Sequence, residues 1–219
     1  MNYAMSDPHF SHSNIIKYCD RFFCLTDFEK ETIKSIKEQC PNDYQALREF
    51  KISQESLDRM DQIIIDKINE AVRPNDTLYI PGDFGFVKKD FSLVRKYRER
   101  INCEHIHFIR GNHDYFTDEE YRTVFEFVGY YEEVKFNKIK FIICHYPMIV
   151  WNGSSHGSIM LYGHCHSSIN DWKDIHMPGL PLIDVGFDEW GGPVSFDDLI
   201  VEANRLKALV PEAKYPDMP

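Results

Sequence analysis

Ile106-His107-Phe108-Ile109-Arg110-Gly111-Asn112-His113-Asp114 is the stretch from which the rest of the chain can be read. Ile106 to Ile109 reads as a short buried strand that stops at Arg110-Gly111, and an amide, an imidazole and a carboxylate then follow in succession. The same arrangement recurs at Asp7-Pro8-His9, Gly82-Asp83, Cys144-His145 and Gly163-His164-Cys165-His166. Each of these follows an expected strand: Tyr3 to Met5, Thr77 to Ile80, Lys140 to Cys144 and Ile159 to Tyr162. Polar side chains at strand ends converge in a crevice while the strands hold them rigidly. In extended backbone, Asp-x-His and His-x-His each send both side chains to one side. A closed structural zinc site uses about four ligands. The five segments offer more, so a second metal is expected.

Taken singly, each segment has a plainer reading. Gly-Asp is usually a turn, and Gly-Asn-His-Asp has turn chemistry of its own. His145 before Tyr146-Pro147 reads equally as a half-buried histidine, and His164 with His166 as a solvated loop. The weight lies in their joint order along the chain.

Around these segments the sequence alternates helices with short strands. Helices are expected over Ile15 to Cys24, Phe28 to Gln39, a stretch capped by Ser53 or Ser56 and ended by Pro74-Asn75-Asp76, a stretch from Phe91 to Ile101, Glu119 to Phe127, and Asp197 to Arg205. Leu57, Met60, Ile64, Ile68 and Val72 recur at three and four residues, the mark of a buried helical stripe. Glu133 to Phe136 and Lys140 to Cys144 read as a hairpin about Asn137-Lys138, Leu182 to Val185 is a further strand, and the tail from Pro211 is expected to be loosely held. This pattern predicts an α/β protein of layered sheets covered by helices, one domain over 1–219. The segment 15–74 is long for a connection and is expected to be a helical insertion that partly caps the pocket.

Composition bounds the function. Apolar residues make up 43% and charged residues 27% of the 219, which is the balance of a globular chain. The net charge is -10, so few cations are spare for gripping the phosphates of duplex nucleic acid. Between Lys88 and Arg110 basic residues outnumber acidic ones seven to three, which reads as the solvated face of a helix. The six cysteines show no Cys-x-x-Cys spacing, and no long apolar run opens the chain at Met1-Asn2-Tyr3-Ala4-Met5. Free thiols in the cytoplasm are therefore expected, with no leader and no membrane partner.

The order of the five segments resembles the calcineurin-like metallophosphoesterase superfamily over residues 7 to 188. The resemblance implies a two-sheet αββα sandwich. It also implies one metal held by Asp7, His9 and His166, another by Asn112, His145 and His164, a bridge at Asp83, and His113 beside the phosphate. A small bacterial and phage subgroup is similar in its opening, Ser6-Asp7-Pro8-His9-Phe10-Ser11-His12-Ser13-Asn14-Ile15-Ile16, and in its close, Val185-Gly186-Phe187-Asp188 with Pro193-Val194-Ser195. This chain departs from that subgroup at Phe22, where a proline is usual, at Asp184, where Asn is usual, and at Gly192, where a tyrosine is common and whose loss would open the pocket wall.

The expected reaction is hydrolysis of a phosphate ester. Two divalent ions (Mn, Fe, Ni, Zn or Mg) about 3.5–4 Å apart would hold the phosphoryl oxygens and a bridging hydroxide that attacks phosphorus. His113 is expected to protonate the departing alkoxide, with Asp114 holding its ring or capping the next helix. Further from the metals, His12, Arg21, Trp151 and Asn152 are candidate substrate contacts: Arg21 as a phosphate clamp, Trp151-Asn152 as a stacking platform. Small phosphodiesters or nucleotide-derived esters are the favoured substrates. A phosphomonoesterase acting on metabolites or phosphoprotein is the alternative, then a nuclease, then a metal-binding assembly protein without turnover.

Overall fold

The computed structural model describes residues 1–41, 43–87 and 89–210. Two sheets lie face to face. The first has five strands in the order β4-β3-β2-β1-β9 (Phe127–Gly129, His105–Ile109, Thr77–Pro81, Asn2–Ala4, Val194–Ser195). All are parallel but the last pairing, β1 with β9. The second has four strands in the order β5-β6-β7-β8 (Glu132–Phe136, Ile139–Ile143, Ile159–Tyr162, Leu182–Asp184), with β5 antiparallel and the rest parallel.

Strand alternation sorts the side chains into layers. Leu78 and Ile80 of β2 and Ile106 and Phe108 of β3 turn outward to a helical layer. That layer is built on α4 (Gln54–Ala71) and α5 (Phe91–Glu99). Their neighbours Tyr79 and Ile109 turn inward, where they meet Phe141, Ile143, Ile159, Leu161 and Ile183 from the second sheet. The last helix, α9 (Phe196–Leu209), contributes Leu199, Ala203 and Leu206 to this inner core. Ile142, Met160 and Leu182 face the far side of the second sheet. Strands covered on both faces need apolar residues at nearly every position, which is why these segments are continuous apolar runs.

The longer helices begin where a side chain can take the free amide groups. Ser53 caps α4, and Leu57, Met60, Ile64, Ile65 and Ile68 form its buried stripe. Thr26 and Glu29 form a capping box at the start of α2 (Asp27–Gln39), and the Glu29 carboxylate also accepts from Ser53 N and Ser56 Oγ at the start of α4. Ordinary propensity is overridden elsewhere. Ile15 to Cys24 is a short α1 (Ser13–Tyr18) followed by a 3-10 turn at Phe22–Cys24, and Glu119 to Phe127 gives only α6 (Asp118–Tyr121) before Phe127 enters β4. Three helices with no sequence signal also form: α3 (Tyr44–Glu49), α7 (Asn170–His176) and α8 (Phe187–Trp190). The tail from Pro211 lies outside the described residues. Among the described residues no helix is long and apolar enough to cross a membrane.

Candidate metal centre

The polar segments converge at the carboxyl ends of β1, β2, β3, β6 and β7, so one end of both sheets supplies the whole site. The residues do not sit in extended backbone, as the Asp-x-His and His-x-His spacing predicted. Asp7 (φ 57°), His9 (52°), Asp83 (52°), His164 (69°) and His166 (46°) all adopt the left-handed region. Each such residue costs on the order of 1–3 kcal/mol and persists only where its surroundings over-determine it. The side chains converge because the chain turns sharply past each strand, not because alternate residues share a strand face.

Two glycines let these turns pack. A Cβ on Gly163 would lie 1.8 Å from Ser6 Oγ and 2.3 Å from Asp7 Oδ2, and one on Gly82 (φ 93°) would lie 2.3 Å from His145 Nδ1. Both positions carry the ligand loops directly against one another.

Two clusters result. In the first, His9 Nε2 and His166 Nε2 face each other at 3.2 Å, and Asp7 Oδ1 lies 3.6 Å from the former and 3.9 Å from the latter. Asp7 Oδ1 is buried and accepts no hydrogen bond, while Oδ2 takes Ser6 Oγ at 2.5 Å and His164 N at 2.9 Å. The circumradius of a triangle with those three sides places a point about 2.1 Å from all three atoms, which is a metal–nitrogen bond length. An orphaned carboxylate oxygen and two opposed imidazole nitrogens therefore fit a divalent cation. The second cluster is Asp83, His145 and His164, whose ligand atoms lie within 4.8 Å of one another. Asn112 Oδ1 joins it, 3.0 Å from His145 Nε2. Asp83 Oδ2 stands between the clusters, 3.6 Å from His9 Nε2 and 3.6 Å from His145 Nε2.

Outer contacts orient the rings. His145 Nδ1 meets Pro81 O at 2.8 Å and His166 Nδ1 meets Asp188 Oδ2 at 2.7 Å, leaving each Nε2 for the centre. Electrostatics follow from burial. Desolvation and the Asp7 charge push Asp83 up to about 7. Burial holds His9 down to about 4. Burial opposes protonation of His166 too, yet its hydrogen bonds to Asp188 and Cys19 and the Asp7 charge carry it up to about 11. Burial works against Asp7 as a carboxylate, and the neighbouring histidines outweigh it, holding its pKa well below the usual range. Two carboxylates crowded among imidazoles, one of them reluctant to ionise, are relieved by cations.

A cavity of about 520 Å³ opens on the centre, lined in part by His9, His12, Asp83, Asn112, His113, His164 and His166. His113 is half-buried, its Nε2 4.0 Å from Asp83 Oδ2 and its Nδ1 3.1 Å from Tyr115 Oη. His12 is buried, stacked on Phe86 at 4.2 Å, and burial pushes it down to about 3.

Other expectations are corrected. Asp114 does not touch the His113 ring. It is buried and accepts from Asp83 N, Phe84 N and Gly111 N, fastening two ligand loops together. Arg21 is 2% exposed, forked on Asp188 (2.7 and 2.8 Å) and donating to the carbonyls of Asp7 and Pro8 and to Met60 Sδ, so no donor is left for a phosphate. Trp151 packs in the outer core with Nε1 on Ser158 Oγ, and Asn152 donates to Glu133. Neither lines the cavity. Gly192 lies against Lys67 rather than on the pocket wall. Asp184 accepts from Gly186 N and Ser167 N, so the carboxylate makes these loop hydrogen bonds itself.

Sequence reasoning missed four contributors. Asp188 orients His166, Tyr115 meets His113, Phe86 lines the cavity, and Cys19 lies within 4.8 Å of His166 and Asp188. Asp188 stood in a quoted motif, Phe187-Asp188, without a role; the others carry no local signal.

The sequence matches the family described as calcineurin-like phosphoesterase over residues 3–210. An uncharacterized protein of Methanocaldococcus jannaschii is 30% identical over 199 residues, covering 90% of this chain and 88% of its own. The crystal structure of a protein of unknown function from Aquifex aeolicus superposes with a TM-score of 0.59 at 17% identity, covering 92% of this chain and 98% of that one. A phosphoesterase from E. coli overlaps with a TM-score of 0.35 at 14% identity, too little to bear on the fold.

Proposed function

This chain belongs to the calcineurin-like phosphoesterase family, and from that premise we propose that it hydrolyses small phosphodiesters or nucleotide-derived phosphate esters at a dinuclear centre. It is a metal-dependent hydrolase of the metallophosphoesterase type, with two candidate metal clusters. In the proposed assignment Asp7, His9 and His166 would hold one ion and Asn112, His145 and His164 the other, with Asp83 available to both. The observation that carries this is the place of Asp83 Oδ2, 3.6 Å from a histidine of each cluster. When bound, divalent ions supply neutralisation of phosphoryl charge and acidification of water.

His113 donates the proton that the leaving alkoxide needs. Its Nε2 faces the centre within 4.0 Å of Asp83, and it lines the cavity. Tyr115 Oη fixes the ring through Nδ1. His12 and Phe86 form an aromatic wall against which a substrate ring can lie. The segment 15–74 acts as a partial cap: Ile15, Tyr18, Cys19 and Arg48 come from it and line the cavity. A cavity of about 520 Å³ closed on that flank favours small substrates over duplex nucleic acid. The opening and closing motifs support grouping the chain with the small bacterial and phage members of the family.

The test is a panel of aryl mono- and diesters, offered to apo protein reloaded with Mn, Ni, Zn, Fe or Mg. Asp83→Asn is expected to weaken both metals together, read by metal titration; loss of one ion alone contradicts the bridge. His113→Ala is expected to keep both ions and lose about 10²–10⁴-fold in kcat, most on poor leaving groups. Metal-loaded protein that turns over no ester would sink the reading in favour of a non-catalytic metal-binding protein.

A further inference from the structure

Arg48 stands in the cavity without a part in metal binding or proton transfer. It is the one Lys or Arg among the described residues that line this space. Its Nε donates to Tyr18 Oη at 2.7 Å, and among the described residues no carboxylate pairs with it. In a chain of 35 acidic against 25 basic residues, a cation facing a pocket without a counter-charge is a feature that calls for an anion.

Its position is held from below. Lys17, the residue before Tyr18 on α1, is 1% exposed, and its ammonium donates to Leu47 O and to Phe50 O, the latter at 2.7 Å. These carbonyls lie at the carboxyl end of α3, where they lack helical partners and attract a cation. Tyr18 packs edge-on against Tyr44, the first residue of α3, at 5.5 Å. The buried ammonium thus locks α3 onto the helix that follows the His9 loop, and Arg48 is carried over the cavity by that lock. With Nε engaged, Nη1 and Nη2 remain as a planar pair of donors, and the Tyr18 hydroxyl, accepting from Nε, keeps its own proton to donate.

We propose that Arg48 and Tyr18 form a subsite for a second anionic group of the substrate, remote from the phosphorus under attack. The inference rests on the phosphoesterase reading and narrows it: the substrate is a phosphate ester that carries a further phosphate or carboxylate at its far end. A guanidinium edge takes either oxyanion in a paired geometry.

Binding and turnover test it separately. Alkane-α,ω-bisphosphonates of graded length, ω-carboxyalkylphosphonates and methylphosphonate are titrated calorimetrically into the metal-loaded protein. One chain length in the bisphosphonate or carboxylate series is expected to bind at least about tenfold tighter than methylphosphonate, and the better series identifies the second group. Arg48→Met removes that gain, Arg48→Lys retains part of it, and Tyr18→Phe reduces it, while methylphosphonate affinity stays within about twofold. On the matching esters Arg48→Met raises KM and leaves kcat, and alkyl monophosphates are unaffected. Equal affinity for mono- and dianionic ligands, or a gain that survives both Arg48→Met and Tyr18→Phe, overturns the subsite. Protein that binds the bisphosphonates through Arg48 yet cleaves no ester overturns the phosphoesterase reading and leaves the subsite standing.

Discussion

Asp188 shows how much one carboxylate can hold in place. It accepts from both Nε and Nη2 of Arg21 and from His166 Nδ1, with side chains 1%, 9% and 18% exposed. A ligand histidine held by a carboxylate keeps its tautomer and aim, and losing such a partner costs about 10–100-fold in metal affinity. Asp188→Asn is therefore expected to weaken the Asp7, His9 and His166 site by that factor and to spare the Asp83, His145 and His164 site. Metal titration followed by two-site analysis would check it; equal weakening of both sites refutes it. Arg21 has a different predicted phenotype. Removing one member of a buried ion pair costs about 3–5 kcal/mol. Arg21→Met should lower unfolding stability by that amount, measured by urea denaturation, with no selective rise in KM. The five ligand segments were legible because each sets its chemistry beside a glycine, a proline or a strand end. Arg21 was not, because the carboxylate that saturates it lies 167 positions further along the chain and no spacing rule reaches that far.

At the scale of elements, strands and long helices were legible where burial imposes a period, as in α4 and in β7, Ile159–Tyr162. Short elements were not. α3 is six residues with one buried side chain, and β9 is two residues whose identity as a strand depends on β1 lying beside it. The left-handed turns that aim the ligands are only weakly signalled by residue types such as Asp and His, which favour positive φ more than most yet adopt it rarely. One helix-to-loop contact invites a titration. Asp61 of α4 accepts from Ser11 N at 3.1 Å and from Tyr97 Oη at 2.6 Å, bracing the loop that follows His9. Burial raises it from 3.8 to about 6. Between those values the folded state keeps a proton that the unfolded chain releases, so this carboxyl contributes stability that is present below about 3.8 and lost as pH rises through about 6. Asp61→Asn carries no such proton. In chelated protein its stability relative to the parent should rise by roughly 1–3 kcal/mol from pH 4 to pH 7. Urea unfolding at the two pH values measures the difference; a flat or inverted difference means that Asp61 is not buried as a strained acid.

Across the whole molecule, the centre is where two sheets meet without a shared strand. Asp7, His9, Asp83 and Asn112 come from the ends of the first sheet, His145, His164 and His166 from the second. Each cluster draws on both sheets: Asp7 and His9 with His166, Asp83 with His145 and His164. Cations bound there are cross-links through the sandwich, and the strain of the left-handed turns and the crowding of carboxylates are both offset on binding. Ligand that binds only the folded state stabilises it by about 2.7 kcal/mol at 100 times Kd. At roughly 2–4 °C per kcal/mol for a domain of this size, one occupied site raises Tm by about 5–10 °C, and two by roughly twice that. The ligands must be unprotonated to coordinate, and the imidazole protons compete directly with the metal. Asp83, held up at about 7, takes on a proton between pH 8 and pH 5, so the metal-saturated minus chelated difference in Tm should be large at pH 8 and smaller at pH 5. Scanning calorimetry with and without chelator at both pH values reads it. A metal that leaves Tm unchanged at pH 8 would mean that the two sheets already close the site unaided.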